Sequence, residues 1–139
     1  MSEGTFQKLD KSKERLFGPK GLVICGYAPA EHKPLIDALG QIGIADRPLI
    51  FVSIKESHKT LKELLSSKDR SGMAEPSNLP RAMIMSGFTQ EEVHTLMSVY
   101  RQAELPPQLW ATLTPVSETW TLEALLNELT AEAEAVKKK

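Results

Sequence analysis

Cysteine is almost absent. Cys25 stands alone among 139 residues, so no internal disulfide can form, and a reducing cytoplasm is the expected setting. Histidine is scarce too. His32, His58 and His94 lie far apart in sequence and show no zinc spacing, so no metal or cofactor is implied. Glycines occur singly, which excludes the Gly-rich run of a phosphate loop or dinucleotide fingerprint. No window approaches 18 consecutive apolar residues, so no membrane-spanning helix is expected. Residues 1–20 lack an apolar stretch of signal-peptide type and read as an N-terminal arm, with one helical turn expected near 12–17.

A large charge of one sign is missing as well, the net charge being −1. The even balance hides an asymmetry. Residues 1–20 carry five basic and three acidic side chains, and 137–139 form a basic tail of three lysines. The body, 21–136, keeps 9 basic against 15 acidic residues, net −6, which argues against a nucleic-acid partner. The terminal lysines read as solvated features.

What the chain does have is a repeat. Residues 21–65 lie over 82–126 at a constant offset of 61, without a gap. Eight pairs are identical: Gly26/Gly87, Glu31/Glu92, Leu35/Leu96, Gln41/Gln102, Thr60/Thr121, Leu61/Leu122, Leu64/Leu125 and Leu65/Leu126. Both copies run through an apolar segment, a small residue, Gly, an aromatic ring, an amphipathic stretch, a second apolar segment and Thr-Leu-x-x-Leu-Leu. A period of this length is one supersecondary unit used twice, each copy covering the apolar surface of the other.

Within each copy the pattern predicts β-α-β-α. Residues 22–27 (LVICGY), 49–54 (LIFVSI) and 82–88 (AMIMSGF) are strands buried on both faces. Residues 109–114 (LWATLT) alternate and predict an edge strand. Leu35, Ile36, Leu39 and Ile42 give the first helix its inner stripe, and Pro34 predicts a late start for it. Ser57 is the expected cap of the second helix. Thr89 with Glu92 predicts a capping box for the third, and the fourth is expected from about Thr119 to 136. Residues 66–81, rich in Ser, Pro and Gly, read as a mobile linker. Helical crossovers imply parallel strands, so the expectation is one four-stranded parallel sheet in order 2-1-3-4 in a single α/β domain over 21–136. Helices 1 and 4 are expected on one face, and 2 and 3 on the other.

In such a sheet a ligand sits outside the carboxyl ends of strands 1 and 3. The expected rims are Cys25-Gly26-Tyr27 and Ser86-Gly87-Phe88, beside two helix N-termini that favour an anion. Cys25 reads as a small buried hydrophobe, since its mate is Ser86, and a nucleophile as the rival. Thr114, Ser117 and Trp120 form a hydroxyl-rich loop after strand 4. They could hold a polar ligand, or else cap the last helix and close the core edge.

The residues Ser86-Gly87-Phe88, Glu92, Trp110-Ala111-Thr112-Leu113-Thr114-Pro115, Ser117 and Trp120-Thr121-Leu122 carry a family likeness. Over its last third to half the chain resembles the bacterial domain-of-unknown-function family number 3783. The resemblance implies no activity and transfers no functional residue. The first copy departs from it, with Ile54 where Pro115 stands and Lys59 where Trp120 stands. With no nucleophile–base pair, metal spacing or phosphate loop, the sequence points to a non-enzymatic binding or interaction module for a small ligand or protein partner. A small enzyme or ligand sensor using the crevice is the alternative. A homodimer burying Trp110 or Trp120 is expected from the exposed sheet edge.

Overall fold

Two five-residue strands, β1 (Gly21–Cys25) and β3 (Ala82–Ser86), are buried at every position and form the centre of one sheet. The computed structural model describes residues 14–137. Around the central pair lie α1 (Pro29–Gln41), β2 (Leu49–Val52), α2 (Leu61–Leu65), α3 (Gln90–Gln102), β4 (Leu109–Thr112) and α4 (Leu122–Lys137), with short 3-10 turns at Ile54–Glu56 and Ser117–Thr119.

The sheet order is the expected β2-β1-β3-β4, but the sheet is mixed. β1/β2 and β3/β4 are parallel, whereas the central pair β1/β3 is antiparallel. An apolar run buried on both faces carries no direction, and a duplicated unit satisfies a dyad along the strands or one across the sheet. This chain uses the second. Val23 pairs with Ile84, its own mate at offset 61, and Gly21↔Ser86 exchanges with Cys25↔Ala82. The dyad therefore passes through Val23/Ile84, normal to the sheet. It emerges through a second pair of mates, Thr60 and Thr121, where Leu61 N–H donates to Trp120 O (3.0 Å) and Leu122 N–H to Lys59 O (2.9 Å).

The glycines show why the central strands run in opposite directions. Gly26 (φ +79°) and Gly87 (φ +66°) both take the left-handed conformation that favours glycine. A Cβ on Gly26 would lie 2.6 Å from the Arg81 backbone, and one on Gly87 would lie 2.7 Å from Gly18 O and 2.8 Å from Lys20 N. Each turn tucks under the segment that leads into the other central strand, so the end of one strand must lie beside the start of the other.

The perpendicular dyad also moves the helices. α1 and α3 share one face, over Leu22, Ile24, Met83 and Met85. α2 and α4 share the other, over Val23, Cys25, Ala82 and Ile84. The expected grouping of first with fourth and second with third followed from the parallel sheet and falls with it. α1 starts at Pro29, level with α3, and contains Pro34 within it. Glu31 closes its first turn by accepting from Ala28 N–H (2.8 Å), as Glu92 does from Thr89 N–H (2.9 Å). Thr60 rather than Ser57 caps α2, and Thr121 accepts from Ala124 N–H at the start of α4. Of the expected arm, residues 1–13 lie outside those described, as do 138–139 of the basic tail. The helical turn expected near 12–17 falls partly there. Over 14–17 the chain is not helical: Arg15 bridges to Thr89 and Leu16 N–H donates to Phe88 O (2.7 Å).

One asymmetry breaks the dyad. α2 stops after five residues, whereas α4 runs for sixteen. The chain released by α2 packs onto the outer edge of β2 instead of linking the copies loosely. There Leu49 N–H donates to an Asp69 carboxylate oxygen (2.9 Å), Arg70 N–H to Leu49 O (2.8 Å) and Phe51 N–H to Ser71 O (2.9 Å). Gly72 (φ +74°) lies so close that a Cβ would collide with the Phe51 carbonyl oxygen. His32, stacked on Phe51, accepts from Ala74 N–H at Nδ1 (2.9 Å), which puts its hydrogen on Nε2 toward Tyr27 O (3.2 Å). Ser77 Oγ accepts from Gly26 N–H (3.1 Å). The segment 69–77 is thus anchored along its length.

Candidate functional site

The two rims expected to face each other across a crevice lie at opposite ends of the sheet. Cys25 is opposite Ala82 and Ser86 opposite Gly21, so the rims stand four residues of strand apart, about 13 Å at the rise of a β-strand. The crevice at the shared carboxyl ends of strands 1 and 3 does not exist, because those ends are not shared.

Each residue of the expected site has another place. Cys25 is fully buried on the α2/α4 face, and burial pushes its thiol pKa up. Ser86 donates from Oγ to Pro19 O (2.6 Å), tying down the segment before β1. Gly26 and Gly87 make the turns described above, and Tyr27 and Phe88 pack on the α1/α3 face. Thr114 and Ser117 satisfy each other: Thr114 N–H donates to Ser117 Oγ (3.0 Å), Ser117 N–H to Thr114 Oγ1 (3.0 Å), and the hydroxyls lie 3.1 Å apart. Trp120 is half-buried against the α2/α4 core. Of the nine residues, Ser86–Phe88 and the 114–120 loop follow parallel neighbours and so share one end of the sheet. Cys25–Tyr27 belong to the other end.

At each end a ring, a guanidinium and a carboxylate are stacked. Arg81 lies over the Tyr27 ring (4.2 Å to its centre), and its Nη2 reaches both oxygens of Glu31 (3.1 and 2.9 Å). Arg47 lies over the Phe88 ring (4.8 Å) and grips Glu92 with both Nη1 (3.1 Å) and Nη2 (2.8 Å). Tyr27/Phe88 and Glu31/Glu92 are mates in the repeat, but the arginines are not. The mate of Arg81 is Lys20, and that of Arg47 is Gln108. The same sandwich is built with its cation supplied from the lead-in to a different strand, β2 for Arg47 and β3 for Arg81. The Arg47 hydrogen bonds hold the Glu92 carboxyl below its ordinary pKa, and those of Arg81 do the same for Glu31.

At the Tyr27 end the exchange leaves polar groups unmatched. Tyr27 Oη donates to Gln108 Oε1 (2.8 Å), and burial raises the Tyr27 pKa. Tyr100 Oη donates to Pro106 O. Arg81 Nη1 and Gln108 Nε2 are buried without a hydrogen-bond partner among the described residues. Gln108 immediately precedes β4, and a cleft lies on either side of it. One, of about 290 Å³, runs along Arg101, Leu105 and Trp110; the other, of about 340 Å³, runs along Arg81, Leu109 and Glu134. Leu109 N–H donates to Arg81 O and Leu113 N–H to Met85 O, so the N–H groups of Trp110 and Thr112 point away from the sheet. Neither has a partner among the described residues.

Arg47, Arg81, Gln108 and Asp69 escaped the sequence reading. The signal for the arginines was there: a capping Glu and an aromatic ring recur together in both copies, and such a pair suits a cation. Which arginine supplies it depends on strand direction, which the pattern does not encode.

No curated protein and no solved structure matches the chain. Residues 81–136, the second copy with its long helix, match the model of a family described as a domain of unknown function (DUF3783).

Proposed function

We propose that this chain is a non-enzymatic interaction module whose working surface is the free edge of β4. One observation carries the reading: the outward backbone of β2 is covered by the chain's own segment 69–72, while among the described residues nothing pairs with the equivalent N–H groups of β4. An uncovered strand edge is a template for an added strand, and main-chain hydrogen bonds supply much of the affinity. The clefts on either side of β4 offer pockets for alternate side chains of such a strand. The buried thiol of Cys25 and the mutually satisfied hydroxyls of Thr114 and Ser117 suit structural roles rather than covalent chemistry. The single buried cysteine also suits a reducing compartment such as the cytoplasm.

A second copy of the chain is a weaker occupant. Twofold pairing of β4 with itself would set Trp110 opposite Thr112 of the other copy, giving only four main-chain bonds. It would also bring two α4 helices together. Their outer faces carry Glu123, Glu128, Glu132 and Glu134, so like charges would meet.

Selection from a displayed library of random heptapeptides tests the reading. Enriched peptides should bind the native protein and lose binding to Thr112→Pro, which removes an outward N–H that the fold does not use. Peptides that bind Thr112→Pro equally well, or no enrichment at all, would refute edge pairing. Light scattering at micromolar concentration decides the dimer separately, a monomer being the expected result.

A further inference from the structure

On the reading that β4 is the working edge, we infer that the segment it takes carries an aspartate, with its carboxylate seated at the start of the strand among Arg81, Arg101 and Gln108. Three independent observations converge there. Residues 81–136 hold eight acidic side chains and only two cations, Arg81 and Arg101. Both cations line the clefts that meet at Gln108. Arg81 is already shared with Glu31, and Glu134 lines its cleft, so Arg101, which has no ion pair among the described residues, is the cation that meets an added carboxylate.

The second observation concerns donors without acceptors. Arg81 Nη1 and Gln108 Nε2 are buried without a partner among the described residues, and each can only donate. Such groups call for an acceptor, and a carboxylate with two oxygens can take both bonds. The donors lie beneath the cleft surface. Reaching them requires a turn of the Gln108 amide, which is held through its oxygen by Tyr27 Oη.

The third is supplied by the other edge. Leu49 is the mate of Trp110, and its outward N–H already donates to the Asp69 carboxylate. Where the fold covers this position itself, it uses an aspartate. At β4 the Trp110 N–H has no partner among the described residues, and the same chemistry completes it from outside.

The test uses the whole chain, ¹⁵N-labelled, and three pentapeptides. The first is acetyl-Thr-Val-Asp-Val-Thr-amide; the second has Asn for Asp; the third is the Asn peptide with a free C-terminal carboxylate. The aspartate peptide should shift the Trp110 and Thr112 amides and the Gln108 side-chain amide, and bind at least about fivefold tighter than the blocked Asn peptide. Arg101→Gln, an exposed change, should erode that ratio while leaving the Asn peptide unaffected. If both blocked peptides shift Trp110 and Thr112 with equal affinity, the aspartate inference falls and the edge reading stands. If only the free C-terminus tightens binding, the carboxylate is terminal and the aspartate inference again falls. No shift with any peptide at millimolar concentration overturns both.

Discussion

The two edges of this sheet are built from equivalent strands and end differently. β2 is buried along its whole length, and its outward groups are bonded to residues 69–71. β4 is half-buried throughout, and its outward N–H groups have no partner among the described residues. The cause is a helix length rather than a strand sequence. Because α2 ends at Leu65, the following residues can drop onto β2; because α4 continues to Lys137, the residues equivalent to that cover remain helical. A duplicated fold can thus hold one edge closed and the other available by changing only where a helix stops.

The two ring–guanidinium–carboxylate stacks sharpen the contrast, and their disruption should give the largest effect. The Arg47 side chain is 1% exposed; Asp46 (2.7 Å) stays as a second carboxylate partner, but the two-pronged Glu92 contact is lost, and Glu92→Gln should cost about 2 kcal/mol. Glu31→Gln, at a partly exposed pair, should cost less than about 1 kcal/mol. Denaturant melts of the two variants check this, and equal losses would show that the stacks are equivalent after all. The same pair sets a pH dependence. Arg47 lowers the Glu92 pKa in the folded state, so its stabilisation is complete above the ordinary carboxylate value and is lost as pH falls through the folded value. The acid limb of the stability curve below about pH 4 should be shallower in Glu92→Gln than in the native chain.

Gly72→Ala should unmake the closed edge. Its φ of +74° and the collision of the new Cβ with Phe51 O predict a loss of about 2 kcal/mol. Amide exchange at Leu49 and Phe51 should rise with it, and unchanged protection there would mean that Asp69 and His32 hold the cover without Gly72. The smallest effect needs no substitution. In the native chain, amide exchange should be fast at Trp110 and Thr112 and slow at their mates Leu49 and Phe51. Slow exchange at all four would close the β4 edge as well.

Much of this fold was legible in the sequence. The runs at 22–27 and 82–88, the most apolar, marked the centre and so gave the strand order, and the alternation at 109–114 marked an edge. Strand direction was not legible, because Leu-Val-Ile and Met-Ile-Met read alike either way when both faces are covered. The crevice was a consequence of direction, and so was lost with it. The cover on β2 was hidden because a Ser- and Gly-rich composition reports turns, and the turns of 69–74 are what fit it to the edge. Gln108 was invisible as a site residue for a simpler reason: it matters only through Arg81 and Tyr27, which lie 27 and 81 residues away in sequence.

The dyad through Val23/Ile84 and Thr60/Thr121 has a further meaning. A contact in which each residue meets its own equivalent is the geometry by which two separate subunits form a closed pair. Here both subunits are on one chain, and the pairing that a single βαβα unit would need from a neighbour is already satisfied internally. A polypeptide holding only the second unit would expose the inner edge of β3, an apolar strand lacking a partner, and would be driven to pair with its own kind. Fusion removes that obligation. It also frees the two halves to diverge, so that one arginine could move to a different strand and one helix could stop early without either change being imposed on the other half.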